Sequence, residues 1–599
     1  MSATRADARS GVRYQPDERP PPALAVGLGL QLAALNLAAI MLIPTVVMRA
    51  AGQGEAYVAW AVFATVAVSG LTTILQAFRL GRFGGGHVLL MGASAAFISV
   101  SITAVTQGGA ALLATLVVIT SLVPLVLSWR LALFQRILTP TVSGTVIMLI
   151  PLTVLPAVGD LLSNVPAGSP VPAAPVSALV TVVVIGGLTL KAPGAWRLWA
   201  PVIGVAAGSL IGGWFGLYDL DRVAGAAWLD LPRGRWPGFD LTFGPSFWAL
   251  LPAFLLVAVI AAVRTMSSAV AVQRVSWRGR RAVDFRGVQG AVTVDGVGNL
   301  LSGLAGTLPN TTYSVSAPLI ELTGVAARGV GIAAGAAFIV LVFLPKALAA
   351  VLAVPDPVFA GYLLVLLALL FLVGLRIVVQ DGLDPRKGMI VGIALLVGVS
   401  CHFGVVFPDL LEQFAGGLLR NGMNAGGYSA ILMTLFLALT ESRRSRFRAA
   451  RFERSVLPQL RAFLGEFASR NGWDSAMADR LYAAGEETVL TLLGEDGGRE
   501  EEDAKGRGSR RMHLVAHRDQ GGAVLEFAVG PGGENVQDRI AMLSGQTGEA
   551  AFEQEVSLRL LRHLASSVRH QQFHDTDLVT VRVQAAAAAG PSRQADSSR

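Results

Sequence analysis

The sequence has almost no cysteine. Cys401 is the single cysteine among 599 residues, and it lies inside an apolar segment. One thiol excludes an intrachain disulfide and a metal cluster held by several thiolates. We therefore expect neither redox chemistry nor a metal or other cofactor, and no motif of an enzyme stands out.

Charged residues are also scarce. They make up 15% of the chain, whereas hydrophobic residues make up 53% and glycine occupies 67 positions. This composition excludes a soluble globular protein for most of the chain. Apolar segments of roughly 17 to 25 residues follow one another as far as residue 440, and each is long enough to cross a bilayer. The sequence predicts an all-α polytopic membrane protein embedded in the lipid bilayer.

Hydropathy predicts about fourteen spans in two sets of seven. The first set covers residues 24–48, 56–78, 87–107, 110–128, 141–158, 174–191 and 198–217. The second set covers residues 246–270, 286–304, 308–326, 328–345, 358–377, 387–405 and 426–441.

The formal net charge of +8 comes from Lys and Arg residues that lie mainly in loops between apolar segments. There they act as topology signals, and we expect no nucleic-acid partner. Their distribution predicts a multi-pass protein of the inner (plasma) membrane with both termini in the cytoplasm. Residues 1–22 are polar, carry no cleavable signal pattern and are predicted to be a cytoplasmic tail.

The character of the chain changes after the last span. Residues 446–585 are predicted to form a cytoplasmic α+β domain, and residues 586–599, rich in Ala, Ser and Gln, a disordered tail. We predict helices at 452–471, 476–493 and 556–567 and strands at 512–517, 523–529 and 577–583.

Two apolar segments are interrupted at matching positions. Leu308 to Arg328 begins with Pro-Asn-Thr-Thr-Tyr, which favours extended backbone, and continues as a short helix that stops at Gly324. Gly92 to Ser99 is a run of small residues at the corresponding place in the first half. Backbone groups freed in mid-membrane must be satisfied inside protein or against a water-filled cavity. The pattern predicts two inverted repeats of seven spans and a transporter-like site where the breaks meet.

These stretches resemble the nucleobase-ascorbate transporter family, also called nucleobase:cation symporter family 2, which includes bacterial uracil and xanthine permeases. The resemblance covers residues 20–440. It is carried by Gly29-Leu-Gln31 with Ile43-Pro44, by Gly92 to Ser99, by Gln135 to Val146, by Val294-Asp295-Gly296, and above all by Pro309-Asn-Thr-Thr-Tyr313 to Leu322-Thr323-Gly324.

The resemblance implies a transmembrane domain over residues 23–441 with a core and a gate. Core spans would lie within 24–128 and 246–345, and gate spans within 141–217 and 358–441. Spans 3 and 10 would each pair a short strand with a half-helix, starting near Ser99 and Val315. Substrate would sit between these half-helices and span 8. The resemblance also implies a homodimer.

The sequence departs from the family where substrate is held. The resemblance places a Gln or Glu followed by Asn where this chain has Val315 and Ser316, and a glutamate where it has Arg264, followed by Thr265. A Gln-His pair becomes Gln31-Leu32. The candidate substrate-binding residues are Gln31, Phe97, Arg264, Thr265, Ser268, Val315 and Ser316.

Arg264 is the most informative of these residues. It lies ten residues before Arg274, about 15 Å along a helix, which is too far for its head group to reach the surface easily. An arginine at this depth requires an interior cavity or an acidic partner. Glu321 is one candidate partner of Arg264, although Glu321 could pair with Arg328 instead. An Arg264–Glu321 pair could be a structural lock or a gate that substrate opens, and the sequence leaves both interpretations open.

With Arg264 gained and the family's glutamate absent, the site is predicted to be electropositive. That favours an anionic or electron-rich substrate, such as urate or xanthine anion, over neutral uracil. Glu321 and Asp295 are the candidate coupling or gating residues, with a cap or structural hydrogen bond as the other reading of Asp295. H+ or Na+ is the candidate coupling ion.

The C-terminal domain resembles a histidine-kinase-type ATPase around Gly485-Glu486-Glu487 and Gly530-Pro-Gly-Gly-Glu534-Asn535. The Asn expected near Thr491 and the Asp expected near Gly530 are both absent, so we expect a degenerate domain for regulation or assembly. The sequence thus predicts a secondary transporter of nucleobase-like solutes that works by an elevator-like movement. The alternative is a transport-deficient membrane sensor that signals through this domain.

Overall fold

A computed structural model describes the protein. It covers residues 12–584 except for 130, 132–139, 167, 218–219, 226, 229–235, 280, 314, 345, 347–348, 351–352, 381–384, 408–418, 420–421, 441–444, 450–451, 453, 495–511, 520–521, 531–534, 538–551 and 575. By its contacts the chain divides into two units, residues 1–279 with 287–439, and residues 280–286 with 440–599. The predicted tail at 586–599 lies outside the described residues.

The first half of the large unit consists of helices and one short strand. Its elements are α1 (Pro22–Ala50), α2 (Glu55–Ala77), β1 (Met91–Ala93), a 3-10 turn (Ala95–Phe97), α3 (Ile98–Thr120), α4 (Leu122–Trp129), α5 (Pro140–Ser163), α6 (Ala173–Lys191), α7 (Gly194–Trp214) and the short α8 (Leu220–Gly225).

The second half repeats this pattern. Its elements are α9 (Pro245–Val275), α10 (Phe285–Leu304), β2 (Asn310–Thr312), α11 (Ser316–Thr323), α12 (Arg328–Val342), α13 (Asp356–Gln380), α14 (Pro385–His402) and α15 (Gly422–Thr440). Each half therefore contains a segment in which a three-residue strand precedes a helix, as the interrupted apolar runs predict.

Several of these helices can cross a membrane. Within the described residues, seven helices are long and apolar enough to do so, and two shorter apolar helices, Trp199–Trp214 and Arg328–Val342, accompany them. The predicted boundary between the third and fourth spans falls at a real break, because Gly109 has φ +75° inside α3 and is not helical. Only glycine adopts that conformation at little cost.

Helices of the two halves interleave. α1 and α2 pack on α12, α3 packs on α9, and α5 and α6 pack on α13. Glycines permit the closest crossings. A Cβ on Gly335 of α12 would lie 2.6 Å from the Gly70 carbonyl oxygen of α2, and a Cβ on Gly374 of α13 would lie 2.7 Å from the Gly144 carbonyl oxygen of α5. Gly70 and Gly144 are constrained in the same way, because a Cβ on either would lie within 2.8 Å of the carbonyl oxygen of the opposite glycine. The backbones of the two helices are therefore in direct contact at each crossing.

The small unit is built on a five-stranded antiparallel sheet in the order β3-β4-β5-β7-β6. Its strands are β3 (Ser445–Ala449), β4 (Met512–Asp519), β5 (Gly522–Val529), β6 (Ser567–Gln572) and β7 (Asp577–Gln584), and its helices are α16 (Leu457–Arg470), α17 (Ser475–Gly494) and α18 (Phe552–Leu564). Buried Leu460, Leu481, Phe527, Leu561 and Val581 belong to one hydrophobic core.

Sequence reasoning missed two of these strands. β3 starts at Ser445, the next described element after α15, where we expected the domain only to begin. β6 starts at Ser567, where we expected the end of a helix that in fact stops at Leu564. Both are edge strands, and edge strands with alternating polar residues carry weak sequence signals. Most of the Gly530–Asn535 loop used in the ATPase comparison lies outside the described residues.

Candidate functional site

The two interrupted segments meet at β1 and β2. The strands pair antiparallel, with Gly92 opposite Thr311 and every residue of both strands buried. Beyond the strand ends, the Ser94 amide donates to the Pro309 carbonyl at 2.9 Å and the Tyr313 amide donates to the Leu90 carbonyl at 2.8 Å. Each broken segment thus satisfies the backbone groups of the other, which allows irregular backbone inside a membrane protein.

Tyr313 locks this crossing. Its hydroxyl donates to the Ala93 carbonyl at 3.0 Å. Its ring covers Gly92 so closely that a Cβ there would lie 2.6 Å from the ring, with Ile40 of α1 at 2.8 Å on the other side. Gly92 is therefore a glycine because an aromatic ring occupies the space of its side chain.

Polar side chains fix β2 to its neighbours. The backbone N–H of Asn310 donates to Asn299 Oδ1 at 2.6 Å, and the side-chain Nδ2 of Asn310 donates to Thr72 Oγ1 at 3.1 Å. Asn310 Oδ1 and Ser94 Oγ, at the same end of the strand pair, are buried and accept or donate no hydrogen bond within the described part of the chain. Buried polar atoms without partners are costly, so these atoms mark a place where water or a ligand is expected.

The half-helices begin close to the predicted positions, at Ile98 and Ser316. α3 is preceded by a 3-10 turn in which the Phe97 amide donates to Ser94. α11 has no side-chain cap at its N-terminus, and Pro318 in its first turn has no N–H. The amides of Ser316 and Ala317 are therefore the first-turn donors left for a ligand.

Arg264 of α9 and Asp295 of α10 face each other across this crossing. The guanidinium lies within electrostatic range of the Asp295 carboxylate and of Tyr313. The two charges form no direct ion pair or hydrogen bond, and both Asp295 oxygens are buried without a hydrogen bond of good geometry. The two groups therefore attract each other without direct contact, as a separated pair.

Two threonines flank the carboxylate. Thr265 of α9 and Thr311 of β2 are fully buried, with their hydroxyl oxygens 3.4 Å apart. Both hydroxyls lie near enough to Asp295 to interact with it electrostatically, although their geometry is not that of a hydrogen bond. The Arg264-Thr265 step therefore places a cation and a hydroxyl beside the same carboxylate.

The other predicted residues fall into three environments. Phe97 is 1% exposed and its ring lies 5.8 Å from that of Phe254 on α9, in a tilted arrangement. Ser316 is fully buried and its hydroxyl accepts a hydrogen bond from the Leu90 amide at 3.2 Å. Ser268 is also buried. Gln31 and Val315 are half-buried.

Two expectations about charged partners are wrong. Glu321 is exposed and forms no ion pair with any described residue, so Arg264 faces Asp295 instead. Arg328, the alternative partner of Glu321, pairs with Asp17 at 2.5 Å. The structural hydrogen bond considered for Asp295 stays a prediction, with Thr265 and Thr311 as the nearby hydroxyls. Spacing along one helix places Glu321 one to two turns beyond the site, but it does not say which way the side chain faces.

Thr311, Tyr313 and Tyr362 were not among the predicted site residues. The first two lie in the Pro309 to Tyr313 block that the sequence already singled out. Tyr362 of α13 is buried within electrostatic range of Tyr313. No local pattern distinguishes Tyr362 from other residues of an apolar helix, so only tertiary contacts reveal it.

Comparisons with known proteins agree on the large unit. Residues 24–407 match the family model Xan_ur_permease, described as Permease family. The xanthine permease XanP of Escherichia coli is 27% identical over 445 residues, covering 70% of this chain and 94% of the relative. The xanthine permease XanQ of Escherichia coli is 26% identical over 452 residues, covering 72% and 94%.

Solved structures of membrane transporters align only weakly with this chain. A murine anion transporter of solute carrier family 26, in its inward-facing state, aligns with a TM-score of 0.48 at 12% identity, covering 72% of this chain and 71% of the other. The transmembrane domain of a cyanobacterial bicarbonate transporter aligns with a TM-score of 0.43 at 15% identity, covering 71% of this chain and 100% of the other.

The family match spans more than half of the chain and includes both broken segments, α9 and α10. The protein is a multi-pass membrane permease rather than an enzyme, and it belongs to the Xan_ur_permease family.

Proposed function

We propose that the protein is a secondary transporter of nucleobase-like solutes that prefers an anionic substrate such as urate or xanthine anion. The observation that carries this proposal is the separated Arg264–Asp295 pair at the β1–β2 crossing. A guanidinium is always charged and presents a planar fork of donors that matches an oxyanion. Neutral uracil carries no charge that could bind this cation, whereas an anionic substrate does.

Substrate would lie between α9 and the crossing of the two broken segments. Phe97 offers an aromatic face for a planar ring. The amides of Ser316 and Ala317 and the unpartnered polar atoms of Ser94 and Asn310 offer hydrogen-bonding groups at the edge. A largely apolar pocket with a few fixed polar groups is the usual form of a small-molecule site.

The pair also suggests how a proton couples to transport. Asp295 and a substrate anion would compete for Arg264. If Asp295 takes up a proton, Arg264 is free to bind the substrate anion. The positive charge of the proton and the negative charge of the anion then cancel. We therefore assign Asp295 as the proton carrier and H+ as the coupling ion in place of Na+. Uptake of a monoanion would then be electroneutral.

The division of the transmembrane helices into two domains follows the one that the family resemblance implies. α1–α4 with α9–α12 form a core that moves as an elevator against a gate of α5–α7 and α13–α15. The protein lies in the inner membrane with both termini in the cytoplasm and forms a homodimer through its gate. Cysteine crosslinking across the gate and labelling of single cysteines at each terminus, both in a Cys401→Ala background, test these assignments.

Uptake of labelled uracil, xanthine, urate and sulfate into proteoliposomes tests the substrate class. We expect saturable uptake of urate and xanthine that increases with an inward proton gradient, and no uptake of sulfate, which lacks the planar ring. Uptake confined to uracil would overturn the anion assignment. Urate binding without net uptake would instead favour a sensor that signals through the folded C-terminal unit.

A further inference from the structure

An amino-terminal segment ahead of α1 is bound to the large unit along most of its length. This strap, Val12–Pro20, contains a turn in which the Glu18 amide donates to the Gln15 carbonyl at 3.1 Å. Pro16 occupies the second position of that turn, which suits its fixed φ, and is itself buried. The strap therefore has a defined shape and an apolar anchor.

The strap pairs with the chain at the end of the α11 half-helix. α11 ends at Gly324, whose φ of +70° turns the chain sharply. The Gly324 carbonyl accepts hydrogen bonds from the amides of Arg13 and Tyr14, at 2.6 and 3.1 Å, and the Ala326 amide donates to the Tyr14 carbonyl at 2.8 Å. These bonds form a short parallel bridge between Tyr14 and Val325.

The strap is also held by Arg278, three residues beyond α9. Its guanidinium donates to both carboxylate oxygens of Glu18, each at 2.7 Å, and to the Arg13 carbonyl at 2.6 Å. Bidentate arginine–carboxylate pairs are the strongest and most directional of side-chain ion pairs. One side chain thus holds both the turn of the strap and the residue that bonds to Gly324.

A second arginine continues the connection. Arg328 at the start of α12 pairs with Asp17 and donates from Nε to the Gly86 carbonyl at 2.8 Å, in the segment that leads to β1. Its own amide donates to Pro16 at 3.2 Å. The strap therefore bridges the ends of α9 and α11 and, through Arg328, the approach to β1.

These are the elements that carry the candidate site. α9 supplies Arg264 and Thr265, α11 supplies Ser316, and β1 forms the crossing. We propose that the strap is a positioning element that fixes α11 relative to α9, with Glu18 and Arg278 as its positioning residues. The inference rests on the proposed function for its substrate, but the geometry of α11 can be measured without any substrate.

Hydrogen exchange of the full-length protein in nanodiscs tests the positioning directly. In Glu18→Gln and Arg278→Gln we expect the amides of α11 and of Ala326 to exchange about ten-fold faster, as charge-assisted hydrogen bonds are lost. Arg274→Gln is the matched control, because Arg274 lies in the last turn of α9, is exposed and makes no ion pair with described residues. Unchanged exchange in α11 in both strap variants would overturn the proposal.

Transport separates positioning from simple loss of stability. We expect the two strap variants to raise the KM for urate about three- to ten-fold with kcat changed less than about two-fold. The charge swap Glu18→Arg with Arg278→Glu should restore KM and α11 exchange in part, because it restores the ion pair but not the hydrogen bond from Arg278 to the Arg13 carbonyl. An equal rise in KM in Arg274→Gln, or faster exchange without any change in KM, would overturn the proposal. If the wild type transports no nucleobase, the proposed function is wrong. The hydrogen exchange of the α11 amides then still tests whether the strap positions α11.

Discussion

Arg49, near the end of α1, forms a buried ion pair with Asp356, the first residue of α13, with 2.6 Å between Nη1 and Oδ1. Both side chains are about a tenth exposed, at 12% and 10%. Asn164 donates to the other Asp356 oxygen at 2.5 Å, and the Arg49 guanidinium lies 5.4 Å from the centre of the Phe359 ring. In the proposed division of the protein, this pair joins the core to the gate on the side opposite the strap.

Asp356→Asn should destabilise the protein by about 3 kcal/mol, because it leaves Arg49 buried without its main counter-charge. Glu55→Gln is the control. Glu55 also contacts Arg49, at 3.2 Å, but is half exposed, and the loss should stay below about 1 kcal/mol. Thermal unfolding in nanodiscs measures both variants, and equal effects would contradict a special role for Asp356. The Arg49 guanidinium also donates to the Val354 carbonyl at 3.4 Å, so faster hydrogen exchange around Val354 in Asp356→Asn would show that this contact has loosened.

Arg264→Gln should reduce urate uptake at least about hundred-fold, because the substrate anion loses its counter-charge in a buried site. Arg264→Lys should retain part of the activity, since it keeps the charge but not the planar fork. Arg274→Gln on the same helix should transport normally. The double variant Arg264→Gln with Asp295→Asn guards against misfolding, since it removes both buried charges. If it is stable and still transports urate, Arg264 is not the anion-binding residue.

Asp295→Asn should uncouple transport from protons. The substituted side chain cannot be protonated, so urate uptake should lose its dependence on an inward proton gradient while urate binding is retained. Uptake measured with and without a pH gradient, together with the membrane potential, tests this. Uptake in Asp295→Asn that still follows the proton gradient would assign the proton to another group.

Gly335→Ala should destabilise the crossing of α2 and α12 by about 1 to 3 kcal/mol. The new Cβ would lie 2.6 Å from both the Gly70 carbonyl oxygen and Ile74 Cγ1, and backbone cannot yield without separating the helices. Gly186→Ala on α6 is the matched control, because nothing lies within 4 Å of the added Cβ. Equal thermal stability of the two variants would contradict the close crossing.

The strap should be released at low pH. The hydrogen bonds from Arg278 hold the pKa of Glu18 below its ordinary value of 4.5, and the hydrogen bond from the Gln15 amide adds a smaller effect in the same direction. A lowered folded-state pKa gives a contribution that is complete above pH 4.5 and is lost as the pH falls through the folded value. Arg278 faces Glu18, and Arg328 faces Asp17 on the same strap.

Hydrogen-exchange protection of Ala326, corrected for the intrinsic pH dependence of exchange, measures this release. Protection should be constant between pH 7 and 5 and decrease below pH 4.5. In Arg278→Gln, protection should be lower throughout and its remaining loss should begin at higher pH. Identical profiles in the two proteins would show that Glu18 does not control the strap.

Local patterns in the sequence predicted most of the fold. Apolar runs placed the boundaries of most helices to within about five residues, because the hydrocarbon thickness sets their length. The predicted spans 87–107, 110–128 and 308–326 fit less well, since the helices there are Ile98–Thr120, Leu122–Trp129 and Ser316–Thr323. The Pro309 to Tyr313 stretch and the Gly92 run predicted two breaks, and these are the segments that pair as β2 and β1. Short edge strands such as β3 and β6 were missed because so few residues carry too little periodicity.

The sequence by itself indicated a membrane permease with two interrupted segments, and it identified Arg264 as unusual. Only the tertiary structure decided that Arg264 faces Asp295 rather than Glu321, and that Glu18 reaches Arg278 across 260 residues of chain. The physical reason is that hydropathy and backbone preferences act within a segment. The partner of a charged side chain depends instead on which faces of distant helices are brought together.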